Sequence, residues 1–564
     1  MQTMDAAFGS DIDPITLEIW WNRLIAAVDE SATALLRTAF STIVRESNDF
    51  ATVLMNTQGE SVAECSGGIP AFAHLVSRAT RSMLRTYPAQ QWLPGDAVIT
   101  NDPWIATGHL PDLALVSPIF HEGALVGFAG CAAHAPDIGG TPSAATREIF
   151  EEGLFIPPLH LHRAGERNHT LHEMLLGNVR LPEQVRGDLE AQLTANEVCR
   201  NRVVDFLRSS GEADLRRISR AVQQRSEAAM RRAIAQLPDG RYESRIRADG
   251  IPGRPTEIHC AITVEGDGLR VDYAGSSPQV DVAINCTLNY TRAYTMYPIK
   301  CALEPRVRRN EGAYRPIEVV APERSIVNAE RPAAVGARHL TGHLLSCAVY
   351  QALVQAAPER VIADSGGAPA LRARFSGRTA QGKRFAQILF ASGGMGASAH
   401  GDGLSTTAFP TNSGAGSVEA FEAAAPLLFV RKEFRTDSGG PGRLRGGLGQ
   451  VCELRNLSPA PVHLSVLGDR AEHPALGVLG GREGALARVV TGDGRGVDLK
   501  GHAGLPSGAS VCFEFAGGGG YGPPEQRSRA ELRRDLALGY VSREAAQRDY
   551  PQWDIDDLMD EDRL

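Results

Sequence analysis

Three side chains in the first quarter of the chain have the types and spacing of a metal site. His109 and Asp112 flank a proline in the segment Gly108-His109-Leu110-Pro111-Asp112, and His134 follows 25 positions after His109. Two imidazoles and one carboxylate suit a divalent transition ion, and three protein ligands leave a coordination position for water or substrate. In the alternative interpretation, both histidines cap strand ends and Asp112 closes a turn.

A β-hairpin with its turn centred on Glu122-Gly123 would bring these candidate ligands together. Antiparallel pairing around that centre matches residues whose numbers add up to about 245. Asp112 is then expected beside Ala133, and His134 opposite Pro111. The sequence therefore predicts that three ligands converge at the open end of one hairpin, with their nitrogen and oxygen atoms within about 5 Å of one another, because ligand bonds are short.

Three further aspartates are candidates for a general base. Asp102 and Asp137 lie in the same loops as the ligands, and Asp49 directly precedes a predicted strand. Asp102 and Asp137 either accept a proton, orient the ligands, or close turns beside Pro103 and Gly139. Asp49 either enters a pocket or caps a turn.

Several other motifs have a structural interpretation that is at least as good as a functional one. Glycine clusters at 393–396 and 517–522 lack the Lys-Ser/Thr of a phosphate-binding loop, and β-rich proteins use such clusters for bends. The turn at 437–442 and the arginines after it favour a salt-bridged turn over an anion site. His343, at a helix start, favours a structural role. The sequence contains no G-x-S-x-G motif and no cysteine in a nucleophile-like setting, so it does not indicate acyl-enzyme chemistry.

Ordered motifs along nearly the whole chain resemble those of the hydantoinase B/oxoprolinase family. The matching segments are RESNDF (45–50), NDPWIATGHLPD (101–112), HAPDIGG (134–140), EIFEEGLFIPP (148–158), NEGAYRPIEVVAPERSIVNAERPAAVGAR (310–338), DSGGPGRLRGGLGQ (437–450), GGGGYGPP (517–524) and DLALGYVSREAA (535–546).

This resemblance implies a division of labour between two subunits. The family includes the B subunit of N-methylhydantoinase, the corresponding half of 5-oxoprolinase, and subunits of caprolactamase and of acetone and acetophenone carboxylases. A hydantoinase A-like partner binds ATP with Mg²⁺ and phosphorylates the substrate, and the B-like subunit acts on the activated species. In metal-bearing members the ligands correspond to His109, Asp112 and His134, so the resemblance implies a divalent metal, zinc or manganese.

The sequence departs from the family pattern in three places. Ala135 replaces a histidine found in many members, and Pro136 replaces the usual alanine. The segment GGMGASAHGDG at 393–403 differs from the GGGWGARPGRDG of many relatives. If these residues contact substrate, the substrate differs from that of the best-known members. The chain is also shorter than its acetone carboxylase counterpart, which weakens the carboxylase interpretation.

The elements that must position these residues follow from hydrophobic periodicity and turn signals. We predict a helix from Asp13-Pro14 to about Arg37, hairpins over 50–63 and 113–133, an αα pair over 183–209 and 212–236, mostly short strands over 240–330, a helix over 340–356, a glycine-dense β region over 370–520, and helix over 525–549. The fold class is mixed α+β with five regions: a metal-site region (1–180), a helical pair (181–240), a central α/β region (241–370), a β-rich region (371–525) and a helical tail (526–564).

Composition narrows the function classes. The 564 residues carry a net charge of −8, and no long basic run suggests nucleic acid or an anionic membrane. The nine cysteines are scattered without a C-x-x-C motif, which fits a reducing cytosol better than a disulfide framework. Residues 1–14 carry acids and no apolar core, unlike a signal peptide. We therefore expect a cytoplasmic protein, with an acidic end (554–562) in solvent.

The expected function is that of the B subunit of an ATP-dependent cyclic amidase acting on a hydantoin, 5-oxoproline or a related lactam within a hetero-oligomer. One alternative is a subunit of an ATP-dependent ketone carboxylase, and another is a non-catalytic scaffold for the A-type partner. The chain alone is expected not to bind ATP, because it contains no phosphate-binding loop with Lys-Ser/Thr.

Overall fold

A computed structural model describes residues 12–560. Residues 1–11, which hold most of the stretch that is unlike a signal peptide, and residues 561–564, which include the last two residues of the acidic end, lie outside the described residues. The strands are β1 (Phe50–Met55), β2 (Ser61–Glu64), β3 (Ala97–Thr100), β4 (Asp112–His121), β5 (Ala124–His134), β6 (Leu159–Arg163), β7 (Glu166–Arg167), β8 (Gly240–Ile251), β9 (Arg254–Glu265), β10 (Gly268–Asp272), β11 (Ile317–Val320), β12 (Arg372–Arg378), β13 (Arg384–Phe390), β14 (Leu427–Phe434), β15 (Gln450–Asn456), β16 (Val462–Leu467), β17 (Arg488–Thr491), β18 (Gly496–Val497), β19 (His502–Leu505) and β20 (Ser510–Glu514).

The helices alternate with these strands, and the predicted mixed α+β class is confirmed. They are α1 (Pro14–Thr38), α2 (Thr42–Arg45), α3 (Pro70–Thr86), α4 (Ile149–Glu152), α5 (His169–Gly177), α6 (Pro182–Ser210), α7 (Arg216–Ile234), α8 (Leu288–Leu303), α9 (Glu311–Tyr314), α10 (His339–Gly342), α11 (Leu344–Leu353), α12 (Val418–Ala424), α13 (Arg529–Ala537), α14 (Arg543–Asp549) and α15 (Ile555–Asp560). Within residues 12–560, no helix is long and apolar enough to cross a membrane.

Four sheets organise residues 12–560. The largest has seven strands in the order β2-β1-β5-β4-β3-β6-β7, and a four-stranded sheet has the order β11-β10-β9-β8. The β-rich part contains the sheets β13-β12-β16-β19 and β14-β15-β20-β17-β18. Every residue of β1 is buried, because helices cover the seven-stranded sheet on both faces: α1 and α6 pack near one, and α3 near the other.

The first helix shows how local sequence sets an element. The Oδ1 atom of Asp13 accepts hydrogen bonds from the backbone N–H groups of Ile15 (3.1 Å) and Thr16 (3.0 Å). Pro14 occupies the first helical position, where its missing N–H costs nothing. The predicted start of this helix is therefore confirmed.

The predicted hairpin around Glu122-Gly123 is also confirmed, but its register was wrong by one residue. Both turn residues have positive φ (49° and 82°), as a type I′ turn requires. A register shift between Ile119 and Phe120 then changes the sum of paired residue numbers from 245 to 246. As a result Asp112 lies directly opposite His134, and not beside Ala133.

Helical predictions were wrong where a helix is buried on all sides. The region 240–330 contains α8, which the sequence did not indicate: most of its residues are buried, and it includes Pro298. A helix without a polar face has no amphipathic period, and an internal proline argues against a helix. The predicted helices over 183–209 and 212–236 both exist, but α6 packs mainly on α1, β4 and β5, whereas α7 packs mainly on α9.

The glycine clusters of the β-rich part pack backbone against backbone. A Cβ atom on Gly394 would lie 1.7 Å from the carbonyl oxygen of Gly447, and one on Gly517 would lie 1.6 Å from that of Ser438. The N–H of Gly518 donates to the carbonyl of Gly447 at 2.9 Å. These clusters are therefore packing motifs, because only glycine allows such close backbone approach.

The state of the cysteines agrees with the prediction from the sequence, whereas the acidic end agrees with it only in part. All nine cysteines lie within the described residues and are free, as predicted. The acidic end is not simply a solvated terminus, since Ile555 and Leu558 in α15 are buried in a small cluster with Leu532 and Tyr550.

Candidate functional site

The structure brings His109, Asp112 and His134 together at the open end of the β4–β5 hairpin. The Oδ1 atom of Asp112 lies 2.9 Å from Nδ1 of His134 and 2.8 Å from Nε2 of His109. One ligand atom from each of the three side chains lies within 4.8 Å of the others. The separation of about 5 Å that was predicted from the hairpin is therefore met, although the register differs.

The backbone around the cluster fixes these positions. Asp112 and His134 are paired residues at the ends of two adjacent strands, so their side chains share one sheet face. The N–H of Ala135 donates to the carbonyl of Pro111 at 2.8 Å, which ties the two loops together. Gly108, with φ of 91°, leads into His109, and a Cβ atom there would lie 2.9 Å from the Arg338 side chain.

Charge inside the cluster is asymmetric. Asp112 is fully buried, and Arg338 donates to its Oδ2 at 2.8 Å. Burial opposes ionisation of Asp112, but the charged guanidinium of Arg338 helps to hold its pKa well below the ordinary value. Burial lowers the pKa of His109 to about 4, so this imidazole is neutral at pH 7.

The tautomer of His109 leaves one nitrogen free for a ligand. Its Nδ1 lies 3.3 Å from the carbonyl oxygen of Gly336, so Nδ1 carries the proton and Nε2 carries the lone pair. Within residues 12–560, that buried Nε2 has no hydrogen-bond partner, because its short approach to Asp112 lacks hydrogen-bond geometry. Two electron-pair donors so close together fit a cation between them, and this donor set suits Zn²⁺ or Mn²⁺.

A cavity opens next to the cluster, with about 1200 Å³ of empty space including its mouth. Its walls come from both the N-terminal part and the β-rich part of the chain. The lining includes Asp49, Phe72, His109, His134, Ala135, Pro136, Asp137, Glu152, Tyr290, Tyr294, Arg338, His339, His343, Arg372, Arg374, Ile388, Phe390, Ser465 and Leu467.

The three candidate bases have different surroundings. Asp49 lines the cavity, and its Oδ2 lies 4.0 Å from Nδ1 of His134; burial raises its pKa. Asp137 also lines the cavity, but Arg180 holds its Oδ1 at 2.6 Å. Asp102 does not line the cavity: it accepts from the N–H of Trp104 at 3.0 Å and pairs with Arg331. The turn interpretation thus describes Asp102 best.

Glu152 is a cavity residue that the sequence did not indicate. It accepts hydrogen bonds from the backbone N–H groups of Gly336 (2.7 Å) and Val335 (3.0 Å). Burial outweighs these bonds and raises the pKa of Glu152 to about 7. The carboxyl therefore titrates near neutral pH beside the cavity.

Other cavity residues were also missed, because they come from segments far away in the chain. His343, for which a structural role was favoured, lines the cavity together with His339, whose buried Nε2 has no partner among the described residues. Arg338, His339 and His343 lie within six residues of one another, so this concentration of nitrogen-bearing side chains beside Gly336 and Gly342 was the available signal. Of the family departures, Ala135 and Pro136 line the cavity, whereas residues 393–403 do not.

The family model for hydantoinase B/oxoprolinase matches residues 13–524. The beta subunit of caprolactamase from Pseudomonas jessenii is 29% identical over 563 aligned residues, which cover 96% of each chain. The crystal structure of the ATP-dependent caprolactamase from Pseudomonas jessenii superposes with a TM-score of 0.90 and 27% identity, over 97% of this chain and 98% of that chain. Nucleotide-free acetone carboxylase shares the fold alone, with a TM-score of 0.88, 20% identity and coverage of 95% and 79%.

Proposed function

The chain belongs to the hydantoinase B/oxoprolinase family, and from that premise we propose that it is the B-type subunit of an ATP-dependent cyclic amidase. Its substrate is a hydantoin, 5-oxoproline or a related lactam, and an A-type partner subunit supplies ATP-dependent phosphorylation. The observation that carries the proposal is the cluster of His109, Asp112 and His134, in which the first two are buried, with its unpartnered imidazole nitrogen beside a cavity.

The three residues of the cluster would hold one divalent cation, zinc or manganese. Such an ion polarises oxygen atoms and lowers the pKa of water. Arg338 supports this role, since its hydrogen bond to Oδ2 of Asp112 leaves Oδ1 facing the two imidazoles. The carbonyl of Gly336 fixes the His109 tautomer in the same way that outer partners orient metal ligands elsewhere.

Asp49 would accept a proton from the attacking water, because it lines the cavity 4.0 Å from His134. Phosphorylation of the amide oxygen by the partner makes the ring carbon more electrophilic. Water then adds to that carbon, the C–N bond breaks and the ring nitrogen takes up a proton; a second water releases phosphate. Overall, the cyclic amide, ATP and two waters give the ring-opened amino acid, ADP and phosphate.

The test is to co-express the chain with the A-type subunit of the same organism and to supply ATP and candidate cyclic amides. We expect a ring-opened amino acid in the mass spectrum, lost after chelation and restored by zinc or manganese. Asp49→Asn should slow its formation by about 10²–10⁴-fold. Incorporation of labelled bicarbonate would instead support the carboxylase alternative. A stable complex with no metal and no product from any amide would support the scaffold alternative.

A further inference from the structure

One wall of the cavity is a sheet face that carries two arginines. Arg372 and Arg374 are two residues apart on β12, so both project from the same face. On that face their partners are Phe390 and Leu467 for Arg372, and Ile388 and Ser465 for Arg374. All six residues line the cavity. The wall therefore presents two guanidinium groups within a mostly apolar surface.

These two arginines make few interactions with the rest of the chain. Arg372 donates to the hydroxyl of Ser413 at 3.2 Å and lies 4.5 Å from the centre of the Phe390 ring. No carboxylate oxygen among residues 12–560 lies within 4.0 Å of it; the acid that most affects its pKa is Asp49.

Arg374 has only slightly more polar contacts than Arg372. It donates to the carbonyl of Pro136 at 3.4 Å. The Oδ1 atom of Asp137 lies 4.0 Å away, but Arg180 already holds that oxygen at 2.6 Å. Burial lowers the pKa of Arg372 and of Arg374.

Arg372 and Arg374 are half-buried, and two fully buried arginines elsewhere have carboxylates in hydrogen-bond contact. Arg338 pairs with Asp112 at 2.8 Å, and Arg527 pairs with Asp535 at 2.6 Å. Burying a guanidinium is unfavourable unless an opposite charge compensates. The cavity wall thus carries positive charge for which the described part of the chain provides no hydrogen-bonded counter-ion.

We propose that Arg372 and Arg374 bind an oxyanion group of the substrate during the reaction. The planar guanidinium fork matches carboxylate and phosphate oxygens. Ile388, Phe390 and Leu467 take the apolar part of the ring. This inference rests on the proposed function, since it places the anionic group in the cavity that His109 and His134 also line. The anion has two possible sources: the phosphoryl group added by the partner, or a carboxylate on the ring itself.

The test measures binding to the purified chain without its partner, by isothermal titration calorimetry. The probes are phenyl phosphate, 2-pyrrolidone-5-carboxylate and 2-pyrrolidone, the last two being the same ring with and without a carboxylate. We expect at least one anionic probe to bind about tenfold or more tightly than the neutral ring. Tighter binding of phenyl phosphate assigns the subsite to the phosphoryl group, and tighter binding of the carboxylated ring assigns it to the substrate carboxylate.

Variants then assign the binding to these residues. Arg372→Met and Arg374→Met should each weaken the anionic probe by about tenfold or more, with little effect on 2-pyrrolidone. Arg378→Met is the matched control, because Arg378 lies on the same face of β12 but is exposed and outside the cavity. Arg372→Lys and Arg374→Lys, which keep the charge without the fork, should fall in between. Thermal unfolding of each variant shows whether it is folded.

Two results would overturn the proposal: equal binding of anionic and neutral probes, or folded Arg372 and Arg374 variants that bind the anion as Arg378→Met does. Neither result depends on ATP, partner or product formation. The proposed amidase activity would therefore survive failure here, and a complex that forms no product would leave this binding result unchanged.

Discussion

Two clusters of arginine and aspartate lie in different parts of the molecule, and they differ in whether a ligand-binding atom next to a cavity remains without a partner. In the C-terminal part, Arg527 donates to Asp535 at 2.6 Å and to Asp402 at 2.9 Å, while Arg445 donates to Asp535 at 3.1 Å. Two cations and two anions balance, and none of the four lines the cavity.

The cluster at the hairpin end is built differently. Asp112 receives one guanidinium, from Arg338, and two imidazoles, of which His109 is neutral and keeps a lone pair on an unpartnered Nε2. This cluster borders the cavity. Burial of charge is common to both clusters. An unpartnered imidazole lone pair beside open space distinguishes the hairpin cluster from the C-terminal one, where the unpartnered Nε of Arg527 lies outside the cavity.

The largest effect is expected for His134→Ala in the reconstituted complex. Loss of one of the three proposed ligands should abolish metal binding and slow product formation by roughly 1000-fold or more, since a bound ion is worth several kcal/mol in the transition state. His134 ends a strand and is 17% exposed, so the free energy of unfolding should change by about 1 kcal/mol or less. Metal content, ATPase rate and product are measured together.

The control for this variant is His169→Ala, which removes an exposed histidine outside the cavity. It should retain metal and activity. Normal product formation by His134→Ala without metal would show that the hairpin cluster, like the C-terminal one, has only a structural role.

Asp535→Ala tests whether the C-terminal cluster contributes to stability and not to activity. It leaves Arg527 and Arg445 buried with too little negative charge, so the free energy of unfolding should fall by ~3–5 kcal/mol. Metal content and turnover per folded molecule should not change. Urea unfolding gives the first quantity, and metal analysis of the soluble fraction gives the second. Glu151→Ala, which breaks an exposed pair with Arg147, should lower stability by about 0.5 kcal/mol or less.

Glu152 predicts a pH dependence that belongs to the cavity. Its ordinary pKa is 4.5, and burial raises the folded-state pKa to about 7. Between these values the folded state holds a proton that the unfolded state has released, so stability falls as pH rises from about 4.5 to 7, by ~3 kcal/mol in total.

Urea unfolding at pH 5 and pH 8 compares wild type with Glu152→Gln. The free energy of unfolding should decrease less between these pH values in the variant than in wild type. Glu64, whose pKa is also raised to about 7, contributes equally in both proteins. An identical decrease in wild type and variant would show that Glu152 does not titrate in this range.

The smallest effect is expected for Asp102→Asn. Its partner Arg331 is 48% exposed, and neither residue lines the cavity, so stability should change by about 1 kcal/mol or less. Turnover should stay within about twofold of wild type, in contrast to Asp49→Asn. A loss of turnover as large as that of Asp49→Asn would show that Asp102 takes part in the reaction although it lies outside the cavity.

Local sequence determined much of this protein. The Asp13-Pro14 cap, the Glu122-Gly123 turn and the apolar strands around it follow from interactions between near neighbours in the chain, which short segments contain in full. The same turn placed His109, Asp112 and His134 at one end of a hairpin. Family motifs then agreed with that placement.

Tertiary structure alone decided the remainder. The one-residue shift at Ile119 that sets Asp112 opposite His134 depends on how the strands pack, and α8 is helical because its neighbours bury it on every side. Arg338, His339, Arg372 and Arg374 reach the cavity from segments more than 200 residues after the hairpin. Their meeting depends on long-range packing between sheets, for which no local pattern carries a signal.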